Sequence, residues 1–401
     1  MKLVLFGHPA FLPSQSMPRF ATMLELAFKA RGHAVQVWRP QPHVYNWLPA
    51  GRWAKWAGYL DQFVLFPLWV RRQLRVQARE TLFVFADQAL GPWVPLVQHL
   101  PHVVHAHDLL ALRSAQGEVP ENPTSWTGRI YQRYIRRGFQ QARHFISVSK
   151  KTRDDLHRYG GVQPHTAAVV YNGLNYPYAP LPALQALQVL LRAGLPAQPR
   201  GMLLHVSGGQ WYKNVVGVVH LYSQYAEEHA DPLPLWMIGP DPNNMKAALG
   251  KVPVQGKVLF FKDIDNVALQ AAYSLARALL FPSLEEGFGW PIIEAQACGC
   301  PVVTTDAPPM NEVGGPAALY LPRLRHTEDV QAWTLLGAHV LGELLAQSET
   351  ARAGLATQAV AWAQRFDADE AINSYLRIYE QVLAFDLGRR DTVGENDVRS
   401  D

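Results

Sequence analysis

The chain has 401 residues, 48% of them hydrophobic, two cysteines and a formal net charge of +4. That length suggests two domains, each able to bury a core. No apolar run approaches the ~20 residues of a membrane span, and MKLVLFGHPAF at the start reads as a first strand and not a signal peptide, so a cytoplasmic location is the expectation.

KLVLF predicts a strand, SMPRFATMLELAFKA an amphipathic helix through Phe20, Met23, Leu24, Ala27 and Phe28, Gly32 its stop, and AVQVW a second strand. Basic and aromatic residues then gather in two stretches, Arg52 to Arg75 and Arg129 to Arg143. In the second, Ile130, Tyr131, Tyr134, Ile135 and Phe139 fall at helical spacing with arginines opposite, which suits a solvated helix face or a membrane or polyanion surface. TLFVFA, HVVHAH, HFISVS and AAVVY predict further strands with helices between several of them, as in a parallel sheet covered on both faces. The series breaks after Asn172-Gly173 at YPYAPLPALQALQVLLRAGLPAQP, which reads as an interdomain connection. It restarts with MLLHVS, PLWMIG, KVLFF, ALLFPS and PVVTT, with a helix over Asn266 to Ala276. Cys298 and Cys300 cannot complete a structural zinc site between them and read as small buried apolar residues. The pattern implies an α/β fold of two doubly wound domains in tandem.

In open α/β sheets ligands lie at the carboxyl ends of the strands, so the residues following each strand carry most weight. After ALLFPS comes LEEGFGW and then the helix PIIEAQA, so Glu286 and Glu294 both reach that edge, Glu294 in the first turn after Pro291. A carboxylate only accepts hydrogen bonds, and sugar or ribose hydroxyls are good donors to it. After MLLHVS comes GGQWYKN, where Gly208 and Gly209 would let backbone approach a phosphate and Lys213 adds a full charge. A phosphate cradle and hydroxyl-binding carboxylates in one domain describe a nucleotide sugar. In the first domain His107 ends the strand HVVHAH with Asp108 after it, and Asp87 follows TLFVFA, so all three are candidates for a site role, His107 as a catalytic residue. Asp263-Ile264-Asp265 matches the Asp-x-Asp pattern of metal-dependent transferases, but aspartate before a helix is a common cap, and no metal or other cofactor is expected.

The stretch FPSLEEGFGWPIIEAQACGCPVVTT resembles the donor-site signature of the retaining GT-B glycosyltransferases of family four, the group 1 glycosyl transferases. NEVGGPAALYL, HVSGGQWYKN, VVYNGL and FISVSKKTRDDL extend the resemblance over most of residues 100–385. It implies two Rossmann-like domains facing a central cleft: an acceptor domain over 1–178, a linker over 179–200 and a nucleotide-sugar domain over 201–370. A C-terminal helix over 371–387 would pack back on the first domain, and the charged last residues, 388–401, are expected to form a disordered tail. It implies that Glu286 contacts the donor sugar, that the amides of Gly287, Phe288 and Gly289 lie beside sugar and diphosphate, and that Glu294 holds the ribose. Gly208, Gly209, Lys213 and Asn214 would meet the diphosphate, the backbone near Ile264 the base, and His107 the reacting sugar. Many relatives carry an arginine a few residues before the lysine, where this chain has Gly209 and Gln210.

The implied reaction is metal-independent hexosyl transfer with retention, from a UDP- or GDP-sugar to a hydroxyl. The expected acceptor is a lipid-linked glycan or glycolipid at the inner face of the cytoplasmic membrane, on the path to a surface polysaccharide. An anionic membrane surface is an expected partner and nucleic acid is not. A glycoside hydrolase would use two carboxylates but leave Gly208, Gly209 and Lys213 unexplained, and GHPAFLP lacks the G-x-G-x-x-G turn of a dehydrogenase. The other reading is a non-catalytic GT-B partner subunit, against which Glu286, Glu294 and Lys213 argue.

Overall fold

The computed structural model describes residues 1–11, 16–47, 54–78, 80–325 and 330–398. The chain forms two units, Met1–Tyr171 with Asp369–Asp401, and Asn172–Ala368. In unit 1, β1 (Lys2–Phe6), β2 (Ala34–Trp38), β3 (Thr81–Phe85), β4 (His102–Ala106), β5 (His144–Ser147) and β6 (Thr166–Val169) form one parallel sheet in the order β2-β1-β3-β4-β5-β6. Alternate residues of a strand face opposite sides, so each central strand feeds two cores. Val4, Phe6, Phe83 and Phe85 pack with Phe66, Trp93 and Phe139 on one side. Leu3, Leu5, Leu82 and Val84 pack on the other with Phe20, Leu24 and Phe28 of the helix Ser16–Ala30.

The second of these cores is completed from the far end of the chain. Tyr375 and Tyr379 of the helix Ala368–Val398 are buried in it, and the Tyr379 hydroxyl lies 2.6 Å from His105 Nε2. Further along, buried Asp386 stands 2.9 Å from the Arg143 guanidinium and 3.6 Å from His144. The backbone of this helix runs to Val398, and of the tail expected over 388–401 residues 399–401 lie outside the described residues. Extending a helix already formed adds one hydrogen bond per residue without a new nucleation cost.

Unit 2 holds β7 (Met202–Val206), β8 (Leu235–Ile238), β9 (Val258–Phe261), β10 (Ala276–Phe281), β11 (Val302–Thr305) and β12 (Ala318–Leu321), all parallel, in the order β12-β11-β10-β7-β8-β9. The four-residue edge strand β12 was not among the predicted strands. Unit 2 begins at Asn172, and the stretch 179–200 expected as a linker is part of its packing. The helix Ala183–Arg192 buries Ala186 and Leu190, four residues apart, and the Leu181 amide donates to Ser274 Oγ at 3.1 Å. The flanking prolines hide that helical spacing. Cys298 and Cys300 are buried, and burial pushes the Cys298 thiol up to about 12.

Of the first basic and aromatic stretch, Arg52 and Trp53 lie outside the described residues. The rest forms the helix Ala54–Leu60, a wider turn over Asp61–Leu65 and the helix Phe66–Leu74. The second forms the helix Trp126–Phe139, whose apolar stripe is split: Ile135 and Phe139 are buried, whereas Ile130 and Tyr134 are exposed.

That helix crosses the turn Gln88–Leu96 at two glycines. A Cβ on Gly138 would stand 2.2 Å from the Gly91 carbonyl oxygen, and one on Gly91 would stand 2.4 Å from the Ile135 carbonyl oxygen. Backbone on both sides cannot swing aside as a side chain would. Gly138→Ala is therefore expected to destabilise unit 1 by about 2 kcal/mol or more, read as a lower urea midpoint. A midpoint equal to that of the wild type would show that the crossing has slack.

Candidate functional site

Successive right-handed crossovers wind a parallel sheet in one direction, and at the strand where winding reverses two neighbouring loops part and leave a crevice. In unit 2 the reversal lies between β7 and β10, adjacent strands whose chain successors β8 and β11 lie on opposite sides. The loops that part there are the two singled out from the sequence, and they are joined across the crevice. Lys213 Nζ donates to Glu286 Oε1 at 2.7 Å, with side chains only 13% and 7% exposed. The ammonium also lies 5.3 Å from the Tyr212 ring centre and 5.2 Å from that of Phe281. Beside it the Leu284 amide donates to the Tyr212 carbonyl at 2.7 Å, and Asn214 Nδ2 to the Pro282 carbonyl at 3.1 Å. Asn214, expected at the diphosphate, thus uses its amide to tie the two loops together.

The glycine turn after β7 is oriented from beneath. His205 Nδ1 lies 2.8 Å from the Leu280 carbonyl and can only donate to it, so Nε2 accepts from Ser207 Oγ at 2.8 Å. Ser207 Oγ in turn accepts from the Gly209 amide at 3.3 Å. Burial draws the His205 imidazole down to about 4, and the Lys213 charge adds to this against the opposing effect of the Leu280 carbonyl, so the ring holds its neutral form. Gly209's N–H is therefore turned inward. Neither His205 nor Ser207 was singled out in the sequence, although both stand in the HVS that precedes the glycines.

The loop after β10 reaches the helix Trp290–Ala297 through Gly289, at φ 103°, a value that L side chains avoid. Phe288 is buried against Trp290 and Phe366, and the Trp290 indole donates to the Gly173 carbonyl at 3.2 Å. Its ring anchors the loop, which leaves its backbone and that of Gly287 as the parts that could meet a ligand. Glu294 falls in the second turn of the helix, not the first, and is 6% exposed. Burial pushes its carboxyl up to about 7, against the Tyr273 hydroxyl, which donates to Oε2 at 3.0 Å, and the Lys213 charge. Tyr273 carries no sequence signal of this role. A second cation also reaches the loop: Arg323, beyond β12, donates through Nε to the Leu284 carbonyl at 2.9 Å and lies 3.6 Å from Glu285. Asp265 caps the helix Asn266–Leu275 by accepting from the Ala268 amide at 2.8 Å, while Asp263 has a φ of 54°. Half-buried Ile264, between them, follows edge strand β9, two strands from β7.

In unit 1 the reversal lies between β1 and β3. His8 follows β1 and Asp87 follows β3, and His8 Nε2 lies 2.8 Å from Asp87 Oδ2. Asp87 Oδ1 accepts from the Ala89 amide at 3.1 Å. Burial alone would raise the Asp87 carboxyl, but the hydrogen bond and charge of His8, with lesser help from His107 and Ala89, leave it below its ordinary range. His107 follows β4 with Nε2 2.9 Å from the Ala86 carbonyl, and burial lowers its affinity for a proton. Asp108 is exposed and accepts from the Leu110 amide at 3.0 Å. His8 was passed over in the sequence, although it obeys the strand-end rule that picked out Asp87 and His107.

Known proteins share the family and the fold of this chain. A family model described as Glycosyl transferases group 1 matches residues 192–318, and one described as Glycosyltransferase Family 4 matches residues 17–176. The O-antigen chain mannosyltransferase RfbU of Salmonella typhimurium is 24% identical over 215 residues, 53% of this chain and 55% of that protein, so the chain spans little more than half of this relative's length. Sucrose-phosphate synthase from Thermosynechococcus elongatus matches with a TM-score of 0.72 at 19% identity, over 96% of this chain and 99% of that one. HepE of Anabaena, solved in complex with UDP, matches with a TM-score of 0.67 at 16% identity, over 95% and 100%. At such identities the two structures establish the fold. With two Rossmann-like sheets of GT-B type and family matches in both units, the chain belongs to the group 1 glycosyltransferases of family four.

Proposed function

We propose that the protein transfers a hexose from a UDP- or GDP-sugar to a hydroxyl acceptor in the synthesis of a surface polysaccharide or glycolipid. The observation that carries this reading is the 2.7 Å pair of Lys213 and Glu286 across the reversal of unit 2. An ammonium and a carboxylate held together match a diphosphate and a sugar hydroxyl in one ligand. The ammonium has three donors, so it can keep Glu286 while reaching a phosphate oxygen. Glu294 is the acceptor for the ribose hydroxyls. The mannosyltransferase activity in RfbU's name and the UDP bound to HepE support these two parts of the donor.

In this scheme the acceptor oxygen attacks the anomeric carbon on the face from which the diphosphate leaves. The bond from that carbon to the phosphate oxygen breaks, and the acceptor's proton passes to a leaving phosphate oxygen. Lys213 and the loop amides stabilise the charge that develops there, without a metal.

A lipid-linked acceptor at an anionic bilayer is supported by the surface of unit 1. Trp56, Leu60 and Val64 are exposed at i, i+4 spacing, and so are Trp126, Ile130 and Tyr134. Phe63 joins the two stripes through ring contacts with Tyr131 and Tyr134 at 6.2 and 5.6 Å. Arg129, Arg133 and Arg137 are exposed on the same helix. Tryptophan and tyrosine beside arginine suit a lipid headgroup layer. Among the described residues no helix is long and apolar enough to cross a membrane.

A panel of UDP- and GDP-sugars should contain one that is hydrolysed slowly without acceptor and raises the melting temperature. Glu286→Ala should lose most turnover yet keep its affinity for the nucleoside diphosphate. Lys213→Ala should lower turnover by about two to three orders of magnitude, with chelator having no effect. Loss of activity on chelation, restored by manganese, would return Asp263 and Asp265 to contention.

Ribose hydroxyls need the ionised form of Glu294, whose carboxyl titrates near 7 in the free protein. Nucleoside diphosphate affinity should therefore rise with pH up to about 7, by up to roughly tenfold per unit, more steeply than in Glu294→Gln. The sign for the ligand-free fold is opposite: from the ordinary 4.5 up to about 7 the folded state keeps a proton that the unfolded state has lost, so stability falls as pH rises. Equal affinity slopes in calorimetry would remove Glu294 from the ribose site.

Anionic vesicles should sediment the protein at low salt, each basic residue near the surface adding about 1 kcal/mol, and release it as salt rises. Arg133→Glu with Trp126→Ser should weaken this binding. Failure to bind at low ionic strength would favour a soluble acceptor.

A further inference from the structure

Unit 2 meets its proposed donor at a winding reversal bridged by an ion pair, and unit 1 has a reversal of its own, bridged by His8 and Asp87. We propose that His8, positioned by Asp87, receives the attacking hydroxyl of the acceptor sugar, accepting its hydrogen at Nδ1. The proposal rests on the glycosyltransferase reading and adds to it the residue that holds the nucleophile.

The geometry fixes the ring and, in its neutral form, the tautomer. His8 precedes Pro9, which confines its backbone to extended conformations. Its Nε2 stands 2.8 Å from Asp87 Oδ2, and an ionised carboxylate can only accept, so in the neutral ring the proton sits on Nε2 and Nδ1 keeps a lone pair. Among the described residues Nδ1 makes no hydrogen bond, and the side chain is 15% exposed. Capping of the turn Gln88–Leu96 does not account for this arrangement. The cap uses Asp87 Oδ1 alone, on the Ala89 amide, and Oδ2 is spent on the imidazole.

The chemistry selects a neutral hydroxyl. A phosphate would face the Asp87 carboxylate, 6% exposed and unable to turn away from it. For a metal, no three His, Cys, Asp or Glu side chains among the described residues converge as ligands. His107 lies close enough to feel the charges of His8 and Asp87, and its Nε2 is committed to the Ala86 carbonyl. With a neutral imidazole the pair therefore offers acceptors, which suits the hydroxyls of a sugar. In the transfer itself the acceptor's O–H bond breaks as its oxygen bonds to the anomeric carbon, and the proton passes to the leaving diphosphate. His8 orients the hydroxyl and keeps its own protonation state.

The test uses protein with 15N-labelled imidazoles, saturated with UDP or GDP. Methyl α-glycosides of glucose, mannose, galactose, rhamnose and N-acetylglucosamine are added one at a time. At least one should move the His8 Nδ1 resonance, and should fail to do so in Asp87→Asn. With that glycoside as acceptor, kcat/KM should fall about tenfold or more in both His8→Ala and Asp87→Asn, as for loss of a hydrogen bond to substrate. Affinity for the nucleoside diphosphate, which reports on unit 2, should remain within about twofold in Asp87→Asn. If the nucleotide binds and no glycoside moves His8, the proposal is overturned while the glycosyltransferase reading stands. Wild-type kcat/KM in His8→Ala would overturn it too. If neither UDP nor GDP binds, the glycosyltransferase reading falls first and the proposal with it.

Discussion

The ion pair of Lys213 and Glu286 is the contact around which unit 2 is arranged. Two charges that are 13% and 7% exposed cannot be left apart, because an unpaired charge in so dry a place is strongly destabilising. Much of what surrounds them keeps the two loops at one spacing: the Tyr212–Leu284 backbone bond, the Asn214 amide on Pro282, and the serine beneath the glycine turn. The geometry is fixed during folding and does not have to be assembled by the ligand. Binding then loses less freedom than a mobile loop would.

The two reversals show how one topological accident can serve opposite chemistries. Both place a carboxylate at the carboxyl end of one strand and a nitrogen group after its neighbour. In unit 2 the nitrogen is an ammonium with donors to spare, which favours an anion. In unit 1 it is an imidazole whose Nε2 is committed to Asp87, which in the neutral ring leaves the open nitrogen as an acceptor. The fold supplies the crevice, and on the proposed reading one residue sets the sign of what enters it.

The strands of both sheets were legible because buried parallel strands are short apolar runs between turn residues, and eleven such runs stand clearly in the sequence. β12 escaped because Ala318–Leu321 is a half-buried edge strand of four residues with little contrast to its surroundings. The helix Ala183–Arg192 escaped because prolines on either side imitate a linker. Glu286, Glu294 and Lys213 were found by strand ends and charge, since each is unusual in its setting. Tyr273, Ser207 and His205 were not, because a buried residue that orients a neighbour looks in sequence like any other core position. His8 was hidden differently: its partner lies 79 residues away, and only the pairing of β1 with β3 brings them together.

The helix Ala368–Val398 sets an order of assembly. Unit 2 is a continuous run of chain, but one core of unit 1 needs Tyr375 and Tyr379 beside Phe20 and Phe28, residues from opposite ends of the sequence. A ribosome releases Phe20 before all of unit 2 and Tyr379 only after it. While unit 2 is made, the apolar face formed by Leu3, Leu5, Leu82 and Val84 must therefore wait without its final cover, and unit 2 can close around its own core. Unit 1, although its strands precede unit 2, cannot complete this core until the helix has been made, which departs from the usual N-terminal-first sequence of domain folding.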